Sequence, residues 1–110
     1  MPETIDPHLR DVWAEFERMI FQRLQAIQAA AQAAERGSLD EALRQTAILE
    51  AHRLAGSLGT FGLAEGTRLA REIESLLERD TEDGAAEASR LTPLVAALAV
   101  ILEANRVRRD

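Results

Sequence analysis

The sequence predicts an all-α fold, an antiparallel up-down four-helix bundle made by a single domain over residues 1–110. Apolar residues recur at helical spacing in four segments, and no segment shows the alternation typical of a strand. Short connections separate these segments, which favours antiparallel neighbours. Aromatic residues make up only 4% of the chain while alanine is abundant, a composition that favours closely packed helices.

The first helix is expected to begin at Asp6-Pro7, an N-cap followed by a first-turn proline, and to run to about Arg36. Gly37 is expected to end it as a C-cap glycine. This length is unusual for one globular helix, so a kink or break near its start is expected. Seven apolar residues share one side of the helix: Val12, Trp13, Phe16, Met19, Ile20, Leu24 and Ile27.

The second helix is expected to run to about Leu58, with Ser38 and Glu41 forming a capping box at its start. The glycine-rich turn Gly59–Gly62 should end it. At about 100° per residue, six residues fall on one apolar stripe that should face the core: Leu43, Ala47, Ala51, Leu54, Leu58 and Phe61.

The third helix is expected over about residues 63–79 and the fourth over about residues 85–108, with a polar loop over 80–84 between them. Pro93 predicts a kink within the fourth helix. The core face of the third helix is predicted to consist of Gly66, Leu69, Ala70, Ile73, Leu76 and Leu77.

The composition excludes several classes of function. The net charge of −6 argues against nucleic acid as a partner, and the absence of cysteine excludes disulfides and cysteine-ligated metal sites. No metal site is expected, because neither His8 nor His52 has a second ligand at metal-binding spacing. The start of the chain lacks a signal pattern, and the apolar run 94–102 is too short to span a bilayer. We expect a cytoplasmic monomer that does not insert into a membrane.

His52 is the most informative residue of the chain. It lies in the middle of the second helix and points almost directly away from the apolar stripe. Ile48, Gln45, Gly56 and Gly59 surround it on the outward face, with Leu49 to one side. An exposed histidine ringed by aliphatic residues and glycines is typical of a docking surface.

The turn between the second and third helices places residues 70–75 at the level of His52, given antiparallel packing and a rise of 1.5 Å per residue. Arg71 and Glu74 are the polar candidates in that window. Glu74 lies at the edge of the core stripe, where its carboxylate could accept a hydrogen bond from one ring N–H and fix the tautomer. An ordinary surface carboxylate remains the alternative for Glu74.

The segments His52-Arg53-Leu54-Ala55-Gly56-Ser57 and Gly59-Thr60-Phe61-Gly62 resemble the signature of histidine-phosphotransfer (HPt) domains, especially those of chemotaxis-type histidine kinases. The resemblance implies a phosphocarrier, not an enzyme, with His52 as phosphoacceptor and Glu74 as the ring-orienting glutamate. It implies a response-regulator receiver domain, a histidine kinase or both as partners. It also implies no cofactor of the chain's own, because the receiver supplies Mg²⁺. The family's usual lysine is replaced by Ala55.

Each remaining candidate has two readings. Gly56, Gly59, Ile48 and Leu49 are expected to give access to the ring or to dock the partner, although Gly56 could serve helix packing and the two aliphatic residues could cover the first helix. Charge or hydrogen bonds for the phosphate could come from Arg53, Arg71 and Ser57. The alternatives are surface ion pairs for both arginines and a bond to a backbone carbonyl for the serine.

Two functions therefore remain open from the sequence. The first is histidine phosphotransfer in a two-component phosphorelay. The second is a non-catalytic helical interaction or dimerisation module with a degenerate HPt fold, which the replacement of the lysine by Ala55 keeps possible.

Overall fold

The computed structural model describes residues 3–79 and 83–107. Within these ranges the chain forms a one-turn 3-10 helix over Pro7–Leu9 and no strand. Four α-helices follow: α1 (Arg10–Glu35), α2 (Glu41–Thr60), α3 (Ala64–Glu78) and α4 (Gly84–Ala104). The all-α four-helix prediction is confirmed. The predicted polar loop falls largely on residues 80–82, which lie outside the described residues.

The helices pack in cyclic order, α1 against α2, α2 against α3, α3 against α4, and α4 back against α1. Arg44, at the start of α2, reaches the Leu77 carbonyl near the end of α3. Thr92, early in α4, donates to Glu35 at the end of α1. These pairings are the ones expected of antiparallel neighbours.

The core lies between the four helices, and each helix contributes large apolar side chains to it. Trp13 meets Phe61 edge to face, with ring centroids 5.0 Å apart. The predicted core faces of α2 and α3 are confirmed, with Leu43 at the edge of the core. The largest fully buried side chains are Trp13, Ile20, Ile27, Leu54, Leu58, Leu63, Ile73, Leu77, Leu91, Leu98 and Leu102.

The start of the first helix has the predicted cap. Asp6 accepts a hydrogen bond from the His8 N–H at 2.9 Å, and Pro7 occupies the first helical position. The chain then changes from 3-10 to α geometry at Arg10, close to where a break was expected.

Three of the seven apolar residues predicted to share one side of α1 are exposed. Val12, Phe16 and Met19 retain 40%, 42% and 36% of their accessible surface, whereas the other four are buried. The seven residues span an arc of about 140° at about 100° per residue. The buried four occupy one part of that arc, and the exposed three lie together at its other edge.

Gly37 and Gly62 end α1 and α2 in the same way. Both have positive φ, 68° and 77°, a conformation that costs glycine little. The N–H of the residue after each glycine donates to the carbonyl five residues earlier, at 2.8 Å in the first case and 3.0 Å in the second. The predicted C-cap role of Gly37 is confirmed. The second helix ends at Thr60, two residues later than predicted.

The predicted capping box of Ser38 and Glu41 is wrong. Asp40 caps α2, and its carboxylate accepts from the Leu43 N–H at 2.8 Å. Ser38 belongs to the turn that ends α1, where its hydroxyl donates to the Ala33 carbonyl at 3.3 Å. Because that turn occupies Ser38, the next helix begins further along the chain.

The end of α4 is tied to the start of the chain by Asn105. Its side-chain amide donates to the Ile101 and Glu3 carbonyls, and its Oδ1 accepts from the Ile5 N–H at 3.0 Å. These bonds explain why α4 ends at Ala104 and not near residue 108, as was predicted from the sequence. The helix continues through Pro93 as one element.

Among the described helices, α4 is long and apolar enough by length and composition to cross a membrane. It packs against α1 and α3 through Leu91, Val95, Leu98 and Leu102, as a core helix of the bundle does.

Candidate functional site

His52 lies in the middle of α2 and projects from the bundle. Ala51 and Leu54, its neighbours on the apolar stripe, are fully buried and fix the rotation of the helix. The histidine side chain keeps 71% of its accessible surface. The predicted outward direction of His52 is therefore confirmed.

Glu74 meets the ring from α3. Buried Ile73 and Leu77 hold that face of α3 against the core, and Glu74 at its edge is half-buried. Its Oε2 lies 3.0 Å from Nδ1 of His52. The two side chains therefore make the contact expected from the turn geometry, and the role of that contact in phosphotransfer stays a prediction.

The contact determines the tautomer of the neutral ring. An ionised carboxylate only accepts hydrogen bonds, so Nδ1 of His52 carries the proton and donates it to Glu74. Nε2 then holds the free lone pair. Within the described part of the chain Nε2 has no hydrogen-bond partner, so the arrangement presents a nucleophilic nitrogen to the outside.

Gly56 leaves open space one turn after His52. A Cβ built at Gly56 would have no atom within 4 Å among the described neighbours, so the alternative of a close packing contact is not supported. At Gly59 a Cβ would meet Oγ1 of Thr67 at 3.8 Å, an ordinary contact with α3. Gly56 thus leaves space in the groove beside the ring, whereas Gly59 lines a separate groove further along α2 and α3.

The two aliphatic neighbours of the ring are placed differently. Ile48 is partly buried and packs against the hydrophobic core. Leu49 keeps 46% of its accessible surface. Leu49 is therefore the more accessible of the two candidate docking residues.

Two of the three candidates for contact with the phosphate are occupied elsewhere. Arg53 bonds to Glu50 at 3.0 Å. The Ser57 hydroxyl donates to the Arg53 carbonyl at 3.1 Å and accepts from Arg23 of α1 at 2.8 Å. Ser57 thus makes the hydrogen bond to a backbone carbonyl that was its alternative role. The hydrogen bond from Arg23 to Ser57 was not predicted.

Arg71, the third candidate, lines a surface groove between α2 and α3 together with His52, Gly56 and Glu74. Ala55, at the position of the family's lysine, is 4% exposed and also lines this groove. Ser75 and Glu78 also line the groove and were not predicted, although they lie one turn after Arg71 and Glu74 on the same helix.

A second polar cluster joins three helices near the start of α2, and it was not predicted. Both oxygens of the buried Glu87 in α4 accept from the guanidinium of Arg44, one of them at 2.9 Å. Arg44 also donates to the Leu77 carbonyl of α3 at 2.9 Å. Across residues 3–79 and 83–107, no group of three or more histidine or carboxylate side chains is arranged to hold a metal ion.

Comparison with known proteins gives one family match. The model of the Hpt domain family matches residues 11–108. No curated protein and no solved structure gives a significant match. Hpt domains carry out histidine phosphotransfer in phosphorelays, and they are phosphocarriers rather than enzymes.

Proposed function

Because the chain belongs to the Hpt domain family, we propose that it relays phosphoryl groups through His52 in a two-component phosphorelay. The observation that carries this proposal is the contact of Glu74 with Nδ1 of a side chain that is 71% exposed, which leaves Nε2 without a partner among the described residues. Glu74 is the ring-orienting residue.

The transfer is a displacement at phosphorus. The lone pair on Nε2 of His52 attacks the phosphorus of an aspartyl phosphate on the partner, and the P–O bond to the aspartate breaks. The leaving carboxylate keeps the electron pair of that bond. Nδ1 keeps its proton, and the Glu74 carboxylate balances the positive charge that the ring acquires. The reverse step returns the phosphoryl group to a carboxylate.

The partner is a receiver domain, a histidine kinase or both. Phosphoryl transfer needs charge neutralisation at the equatorial oxygens, and we propose that the receiver supplies it with its Mg²⁺ while this chain contributes no cofactor. Leu49, Gly56 and Gly59 form the docking surface around the ring, with Ile48 supporting it from below. Leu49 supplies the exposed apolar contact at this surface.

We further propose that the protein acts as a cytoplasmic monomer and a phosphocarrier without catalysis of its own. Its net charge of −6 disfavours nucleic acid as a partner, and the apolar face of α4 serves the bundle core and not a membrane.

Incubation with a receiver domain phosphorylated on its aspartate tests the proposal. We expect an acid-labile, base-stable label on this chain, located to His52 by mass spectrometry and absent from His52→Gln. The variant His8→Gln is the matched control, because His8 is the other histidine of the chain and is exposed. Absence of transfer with every receiver and kinase tested would favour a non-catalytic interaction module with the same fold.

A further inference from the structure

The groove beside His52 has the size of a phosphoryl site. It is lined by His52, Ala55 and Gly56 of α2 and by Arg71, Glu74 and Ser75 of α3, and its volume is about 420 Å³. A water molecule takes roughly 30 Å³ of liquid volume. The groove therefore has room for a phosphoryl group attached to His52.

The charges around the groove require a cation once His52 is phosphorylated. Glu74 and Glu78 both line it. A phosphoryl group adds close to two further negative charges at neutral pH. The carboxylate of Glu74 is committed to Nδ1 of the ring, which offsets only its own charge.

Arg71 is the guanidinium placed to supply that cation. It lines the same groove as the ring, and it makes no hydrogen bond or ion pair with any residue in the described ranges. Arg53, next to His52 in sequence, is instead held by Glu50 at 3.0 Å. A guanidinium presents a planar set of donors that matches phosphate oxygens.

We propose that Arg71 binds the phosphoryl oxygens on phosphorylated His52. It supplies from α3 the positive charge that the family's usual lysine would supply at the position of Ala55. The inference rests on the proposed function. Ala55 and Gly56 bring only a methyl group and a hydrogen to the floor of the groove, so a side chain from α3 can reach across it. Arg71 is then a substrate-contacting residue of the relay.

The test uses the intact protein and needs no partner. In a His8→Gln background, His52 is the remaining histidine and is phosphorylated chemically with phosphoramidate. The phosphoryl group is then titrated by ³¹P NMR in the background protein and with Arg71→Gln, Arg71→Lys or Arg53→Gln. Circular dichroism checks that each variant is folded.

We expect Arg71→Gln to move the phosphoryl titration to higher pH by about 0.5–1 unit, because a nearby cation favours the dianion. Arg71→Lys keeps a cation and should titrate close to the background protein. Arg53→Gln should titrate like the background protein. Equal titrations for Arg71→Gln and Arg53→Gln would overturn the inference, as would failure of the background protein to take up the phosphoryl group. A different result would separate the two proposals: phosphorylated receivers fail to transfer to His52, but Arg71→Gln still moves the titration to higher pH. The proposed function would then be wrong, while the contact between Arg71 and the phosphoryl group would stand.

Discussion

Two carboxylates from other helices meet nitrogen-bearing side chains of α2, and the two pairs differ in what they leave open. Near the start of α2, Arg44 bonds both oxygens of Glu87, whose side chain is 2% exposed, and also the Leu77 carbonyl. In the middle of α2, His52 uses a single ring nitrogen to reach Glu74 and remains 71% exposed.

The difference separates a closed contact from one that leaves a side chain accessible. Both oxygens of Glu87 accept from the Arg44 guanidinium, so this pair joins α2, α3 and α4, and burial of the carboxylate closes it to a ligand. The second pair fixes the ring of His52 without covering it, so Nε2 is oriented and has no partner within residues 3–79 and 83–107. Under the proposed function, a carboxylate contact therefore joins helices in one place and orients the phosphoacceptor in the other.

The largest expected effect on transfer is at the open pair. His52→Gln should abolish phosphorylation while the free energy of unfolding changes by no more than about 0.5 kcal/mol, as is usual for exposed substitutions. Receiver-dependent labelling and thermal unfolding measure the two quantities. A large loss of stability would show that His52 also has the structural role assigned here to Arg44 and Glu87.

The largest expected effect on stability is at the buried pair. Glu87→Ala should lower the free energy of unfolding by about 2 kcal/mol, because it removes the two hydrogen bonds that the Arg44 guanidinium donates to a buried carboxylate. Denaturant unfolding measures this loss, and transfer through His52 should persist in the folded fraction. Glu103→Gln, an exposed change in the same helix, is the control. If Glu87→Ala and Glu103→Gln were equally stable, the Arg44–Glu87 pair would not have the structural role assigned to it.

Removing the carboxylate of the open pair should slow transfer without preventing it. Glu74→Ala is expected to cost about tenfold in rate, a typical loss when a residue that orients a reactive group is removed. NMR of the ring nitrogens should show that the proton no longer resides mainly on Nδ1 of His52. Glu72→Ala, an exposed carboxylate on the same helix, should change neither quantity. An unchanged tautomer in Glu74→Ala would remove Glu74 from its assigned role.

Blocking the open side of the ring gives a smaller effect. Gly56→Leu should raise helix stability by somewhat under 1 kcal/mol, since a side chain there meets open space. Transfer from a receiver should slow several-fold, whereas phosphorylation by the small donor phosphoramidate should not. Ala97→Leu, at an exposed position of α4, controls for added apolar surface. Undiminished receiver transfer would show that the partner does not approach over Gly56.

The smallest effect is expected at a fully exposed pair on α3. The hydrogen bond from Arg68 lowers the pKa of the Glu65 carboxyl, and Glu65 in turn raises the pKa of Arg68. A carboxyl with a lowered folded pKa contributes stability above its ordinary pKa and loses it as pH falls through the folded value. Arg68→Gln should remove only this screened contribution. The thermal unfolding of Arg68→Gln at neutral pH should therefore be close to that of the wild type. A loss of stability as large as that of Glu87→Ala would contradict this expectation.

Sequence periodicity was sufficient for the helices and for the direction of His52, because a helix with a buried stripe has only one outward face. It also placed Glu74, since a short turn between helices fixes which residues are level with each other. Both results depend on local geometry that repeats along the chain.

The remaining features depend on contacts that no local pattern encodes. Arg44 and Glu87 are far apart in sequence and meet only because α2 and α4 pack against the same end of α3. Phe16 and its exposed neighbours on α1 fit a helical stripe, but the position of adjacent helices decides where that stripe stops being buried. The cap of α2 is Asp40 and not Ser38, because these two candidate caps lie close together and the turn that ends α1 uses Ser38.

The bonds from Asn105 to Ile5 and Glu3 bring the first and last described parts of the chain together. Since the helices also contact each other in cyclic order, the backbone comes close to forming a closed ring. A short peptide joining these two regions would complete that ring, and the connection over residues 36–40 could then be cut to give new ends. The resulting circular permutant would keep α2 and α3 joined through their own turn, so His52 and Glu74 would stay on an unbroken stretch of chain.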